Sequence, residues 1–142
     1  YDDYEKKKTF YHGHTYTANP ISCSAALASL EIFEKEKTLD RIKNIIPVFQ
    51  DALERFKGLS LVGDVRGIGL IGALELVKDK KTKQGFGFKE RIGLRAYKMG
   101  LERNIILRPL GNTIYLFLPL CINMNELEDI IDRTFSVIES LC

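Results

Sequence analysis

At 142 residues, 45% of them hydrophobic, the chain carries enough apolar material for one sizeable core and needs no second. Its 21 basic and 19 acidic residues leave a formal charge of +2. The Lys6-Lys7-Lys8 run reads as a solvated face, so neither nucleic acid nor an anionic membrane is indicated as a partner. Cys23, Cys121 and Cys142 are odd in number and lack metal-ligand spacing, which suits reduced thiols of a cytoplasmic protein. No apolar run approaches the ~20 residues of a membrane helix, and the charged, aromatic opening lacks the apolar core of a signal peptide. The sequence opens on Tyr1 without an initiator Met and reads as a fragment or excised domain.

The stretch from His12 to Pro20 holds most of the unusual chemistry. Asn19 followed by Pro20 and small or apolar residues predicts a helix start, with Asn as N-cap and Pro at the first helical position. Gly13 permits close backbone approach to a ligand. Thr15 and Thr17 offer hydroxyls and N–H groups suited to an anion such as phosphate. The same residues also read as an exposed loop with local capping, and two histidines are too few for a metal site.

Helical spacing of Ile21, Ala25, Leu27, Leu30 and Phe33 predicts one helix to about Glu36. A second is predicted from Thr38, striped by Leu39, Ile42, Ile45, Ile46, Phe49, Leu53 and Phe56 and ended by Gly58, with a kink or break at Pro47 near Ile46. From Leu61 to Val77 the period shortens. Two strands are expected there, with Gly67 and Gly69 permitting the turn between them. No third glycine opens a helix at the proper spacing, so this is not a dinucleotide-binding fingerprint. Arg66 reads either as facing a substrate side or, more readily, as a surface partner of Asp64 or Glu75. Residues 78–88 read as a flexible loop, 89–102 as a helix, 105–110 and 113–118 as a hairpin turning at Gly111-Asn112, and 125–140 as an amphipathic helix with Leu127, Ile130, Ile131, Phe135 and Ile138 inward. The element order predicts an α+β fold, a small antiparallel sheet of three or four strands with helices packed on one face.

Arg108 stands between Leu107 and Pro109 at the end of an apolar strand. An unpaired guanidinium is costly to bury, so it either reaches solvent or meets a carboxylate, which its planar fork can hold by two parallel hydrogen bonds.

His12-Gly-His-Thr-Tyr-Thr-Ala-Asn-Pro20 before an alanine-rich helix, Val62-Gly-Asp-Val-Arg-Gly-Ile-Gly-Leu-Ile-Gly-Ala-Leu-Glu-Leu76, and Leu107-Arg-Pro-Leu-Gly-Asn-Thr-Ile-Tyr-Leu-Phe-Leu-Pro-Leu120 together resemble the C-terminal third of class III, fold-type I aminotransferases that use pyridoxal phosphate. The first and third blocks are most similar to the branch serving biotin synthesis. The resemblance implies transfer of an amino group to 7-keto-8-aminononanoate from S-adenosylmethionine or lysine. It also implies a homodimer with shared active sites, in which His14 and Thr15 bind the cofactor phosphate of the neighbouring subunit while Gly13 and Arg108 contact substrate, Arg108 at its carboxylate. Ala18 stands where many members have Gly, and His14 where some have Pro. The Schiff-base lysine is expected upstream of Tyr1, so no catalytic residue is expected here and the chain alone should be inactive. Residues 1–19 would then be an active-site segment of the large domain, 20–36 a bridging helix and 37–142 the small domain. The alternatives are an ω-aminotransferase of the ornithine or acetylornithine type, and a non-catalytic α+β interaction domain.

Overall fold

The computed structural model describes residues 5–8 and 12–141, so Cys142 and the opening residues lie outside the described part. Two compact units result, Tyr1–Lys37 and Thr38–Cys142.

In the first unit α1 runs over Pro20–Lys35, with the Asn19 side chain accepting from the Ser22 N–H at 3.1 Å and Pro20 opening the first turn. The start matches the sequence expectation because both residues act locally. No residue of α1 is buried, and Ile21 is 82% exposed. Helical spacing marks a face but does not by itself bury it.

In the second unit α2, Thr38–Glu54, buries Ile45, Phe49 and Leu53 at four-residue intervals, and a 3₁₀ turn over Arg55–Gly58 buries Phe56. Of the kink or break expected near Ile46, the break does not occur: α2 continues through Pro47. Pro47 and Lys43 lie on the exposed side. The Lys43 carbonyl that proline deprives of a donor is therefore open to water, while buried residues anchor the helix before and after it.

The strands are β1 (Val62–Ile68), β2 (Ile71–Asp79), β3 (Gln84–Gly85), β4 (Arg108–Leu110) and β5 (Thr113–Phe117). They form an antiparallel sheet in the order β1-β2-β5-β4, with β3 paired to β2. β3 lies inside the stretch expected to be a flexible loop. Gly69, at φ +56°, makes the β1–β2 turn. Gly67 does not: it sits within β1, where a methyl group would collide with the Gln50 side chain, and Gln50 Nε2 donates to the Gly69 carbonyl at 2.7 Å.

Alternation along β2 and β5 separates two faces. Gly72, Leu74, Leu76, Ile114 and Leu116 are buried, and a methyl at Gly72 would lie 2.8 Å from Leu53 of α2. Helices α3 (Ile92–Glu102) and α4 (Met124–Glu139) complete this side, with Ile92, Ala96, Leu127, Ile131, Val137 and Ile138 joining the core. Asn123 and Glu126 cap α4 reciprocally, Asn123 Oδ1 accepting from the Glu126 N–H and Glu126 Oε2 from the Asn123 N–H. The architecture is α+β, a small antiparallel sheet with helices on one face. The other face carries Ile71, Ala73, Glu75, Tyr115 and Phe117.

Candidate functional site

The His12–Asn19 turn is closed by its own hydrogen bonds. Thr17 N–H donates to the His14 carbonyl at 3.0 Å, His14 N–H to Thr17 Oγ1 at 3.2 Å, and Asn19 N–H to the Tyr16 carbonyl at 3.3 Å. Thr17 Oγ1 also lies 3.3 Å from His14 Nδ1. Thr17 therefore builds the turn, while Thr15 faces out: its side chain is exposed, and neither its hydroxyl nor its N–H has a partner among the described residues. Gly13 is exposed, with nothing within 4 Å of where a side chain would begin. Ala18 holds φ +60°, a left-handed conformation that glycine adopts more readily. Among the described residues no group of three or more His, Cys, Asp and Glu could hold a metal ion. An exposed bend with an unpaired hydroxyl and unpaired N–H groups fits a phosphate.

Arg108 opens β4 in the second unit, its side chain exposed between buried Leu107 and half-buried Pro109. It makes no ion pair or side-chain hydrogen bond among the described residues. With Tyr115, Ile105, Ile106, Phe117 and Ile130 it lines a cavity of about 360 Å³. A lone guanidinium beside apolar walls suits a carboxylate on an aliphatic chain.

The register places Arg66, Ala73, Tyr115 and Arg108 in one row across the open face. Arg66 is occupied: its Nη1 meets Asp64 Oδ2 at 2.5 Å and Glu75 Oε2 at 3.0 Å. The hydrogen bond to Glu75, then that to Asp64, raises its pKa.

Behind Arg108 the Gly111-Asn112 turn is braced. Gly111 has φ +62°, Asn112 Nδ2 donates to the Phe86 carbonyl at 2.9 Å, and the Asn112 carbonyl accepts from the Leu76 N–H at 2.9 Å. Glu90, 2.7 Å from Lys78 Nζ, also accepts from the Gly87 N–H at 2.9 Å. These two interactions, that with Lys78 first, hold its carboxyl below the ordinary glutamate range. Tyr115 and Asn112 escaped the sequence reading. Strand alternation was the available signal for Tyr115, whereas Asn112 read only as a turn residue.

The family model described as "Aminotransferase class-III" matches residues 3–138. The chain is 44% identical over 130 residues to an adenosylmethionine-8-amino-7-oxononanoate aminotransferase of Geobacter sulfurreducens, covering 92% of this chain and 29% of that protein. The crystal structure of an enzyme of the same name from Methanocaldococcus jannaschii superposes with a TM-score of 0.87 at 43% identity, over 97% of this chain and 32% of that one. A PMP-bound aminotransferase from Vibrio fluvialis gives 0.86 at 26% identity, over 96% and 30%. The chain thus spans about 30% of the length of the relatives it matches. With the family model covering nearly all of its length, the chain belongs to the class III aminotransferases.

Proposed function

We propose that this chain is the part of a pyridoxal-phosphate-dependent enzyme that holds the keto acid in the conversion of 7-keto-8-aminononanoate to 7,8-diaminononanoate, the amino group coming from S-adenosylmethionine or lysine. The observation that carries the reading is Arg108, exposed beside an apolar cavity with no carboxylate paired to it among the described residues. Its fork would bind the substrate carboxylate and fix the direction of the aliphatic chain, while the apolar walls exclude water from the methylenes. The relatives named for this reaction support the substrate assignment.

Thr15 and His14 would hold the cofactor phosphate of the neighbouring subunit, and Gly13 would contact substrate, in a cytoplasmic homodimer with shared active sites. The cofactor, when bound, supplies the electron sink for amino transfer. The lysine this chemistry requires would come from outside this chain. Lys6, Lys7 and Lys8 sit exposed in a charged run, and the isolated chain should be inactive.

In the full-length enzyme, Arg108→Ala should raise the KM for 7-keto-8-aminononanoate by roughly 10- to 100-fold, the worth of a charge-assisted pair. An unchanged KM, or better turnover of ornithine or acetylornithine in the wild-type enzyme, overturns the proposal.

A further inference from the structure

We infer that Asn112 is a positioning residue for substrate-carboxylate binding, acting by fixing the hairpin from which Arg108 projects; the inference rests on the reading of Arg108 given above. Arg108 has weak local support. β4 is three residues long, lies at the end of the sheet order and, among the described residues, pairs only with β5. A guanidinium fork aims two hydrogen bonds at once, so a small rotation of its strand misdirects both. Something must hold that strand from behind.

The structure supplies two holds. Gly93 of α3 lies so close that a methyl group there would run into the Gly111 carbonyl oxygen and come within 2.6 Å of Pro109 Cβ. Asn112, half-buried, sends its side-chain amide to the Phe86 carbonyl while its own carbonyl takes the Leu76 N–H. The acceptor is itself fixed, because Gly87, the next residue, donates to Glu90, and Glu90 pairs with Lys78 of β2. Asn112 thus ties the hairpin turn to β2 through its main chain and to the 84–90 segment through its side chain. Turn geometry alone does not demand this amide: Asp suits such a turn as well as Asn does, but an ionised Asp cannot donate to a carbonyl.

Asn112→Asp therefore keeps the turn preference and removes the brace. In the full-length enzyme, KM and kcat are measured with 7-keto-8-aminononanoate and with its methyl ester, which has the chain but not the charge. Asn112→Asp should raise the KM for the acid about fivefold, the worth of one neutral hydrogen bond. It should leave kcat within about twofold and the ester KM unchanged, and add nothing in an Arg108→Ala background. The acid-to-ester ratio is read within one sample, so a loss of folded protein does not move it. Gly93→Ala, which pushes the same turn from the other side, should give the same signature.

Equal effects of Asn112→Asp on acid and ester, or none on either, overturn the inference while leaving Arg108 in its role. If Arg108→Ala itself fails to separate acid from ester, both readings fall.

Discussion

Arg66 and Arg108 stand in one row on the open face of the sheet, the first held by two carboxylates and the second by none among the described residues. The contrast separates a structural guanidinium from one available to a ligand. Arg66→Gln should change the KM for the keto acid less than about twofold, since exposed ion pairs contribute little beyond local order. Arg108→Lys, which keeps the charge but loses the planar fork, should raise it about tenfold. Steady-state kinetics on the two full-length variants checks the ordering, and the reverse order removes the distinction.

The turn at residues 12–19 predicts a division of labour between its threonines. Thr17→Val deletes the hydroxyl that accepts from the His14 N–H, and should weaken cofactor affinity roughly two- to tenfold by loosening the bend. Thr15→Val removes a hydroxyl with no partner among the described residues, and should weaken affinity without altering the thermal stability of the cofactor-free protein. Cofactor titration followed by absorbance, together with melting of the apo form, distinguishes the two.

Acid sensitivity follows from two carboxylates. Glu90 is held low by Lys78 and then by the Gly87 N–H, and Asp79 by the N–H groups of Thr82 and then Lys81. A carboxylate whose folded pKa lies below its unfolded one contributes stability that is present above the unfolded value and lost as pH falls through the folded value. The melting temperature should therefore drop as pH falls below the ordinary carboxylate range. Glu90→Gln and Asp79→Asn should each flatten that slope slightly, because both groups are exposed. Melting curves of the chain at acid and neutral pH show the effect, and identical slopes in the variants reject it.

The contact between sheet and helix is tight at one point. Gly72→Ala places a methyl 2.8 Å from both Leu53 terminal carbons and 3.0 Å from Phe49 Cζ. Overpacking at such a site should destabilise the second unit by about 1–3 kcal/mol. Denaturant unfolding measures it, and a stability equal to wild type shows that Leu53 can repack.

Features set by neighbouring residues were legible in the sequence. Asn19-Pro20 began α1, the β1–β2 and β4–β5 hairpins appeared where expected, and α4 began one residue before the expected Asn125. Features set by distant partners were not. β3 is two residues of main-chain pairing to β2, with no side-chain pattern to announce it. Gly67 serves close packing on Gln50 rather than the turn, a choice made by a helix 17 positions earlier in the chain. Thr134, Val137 and the unbroken passage of α2 through Pro47 depend likewise on what each residue faces. At the candidate site, Arg108 announced itself because a guanidinium within an apolar strand needs a reason. Asn112 did not, since its amide reaches a carbonyl 26 residues away.

Pro109 is the middle residue of β4, the last strand in the sheet order. A foreign strand seeking to extend the sheet on that side finds a nitrogen with no hydrogen to give, on a segment only three residues long. The rim that carries Arg108 is thereby a poor template for amyloid-like stacking, and its side chain can stay open to solvent without inviting aggregation.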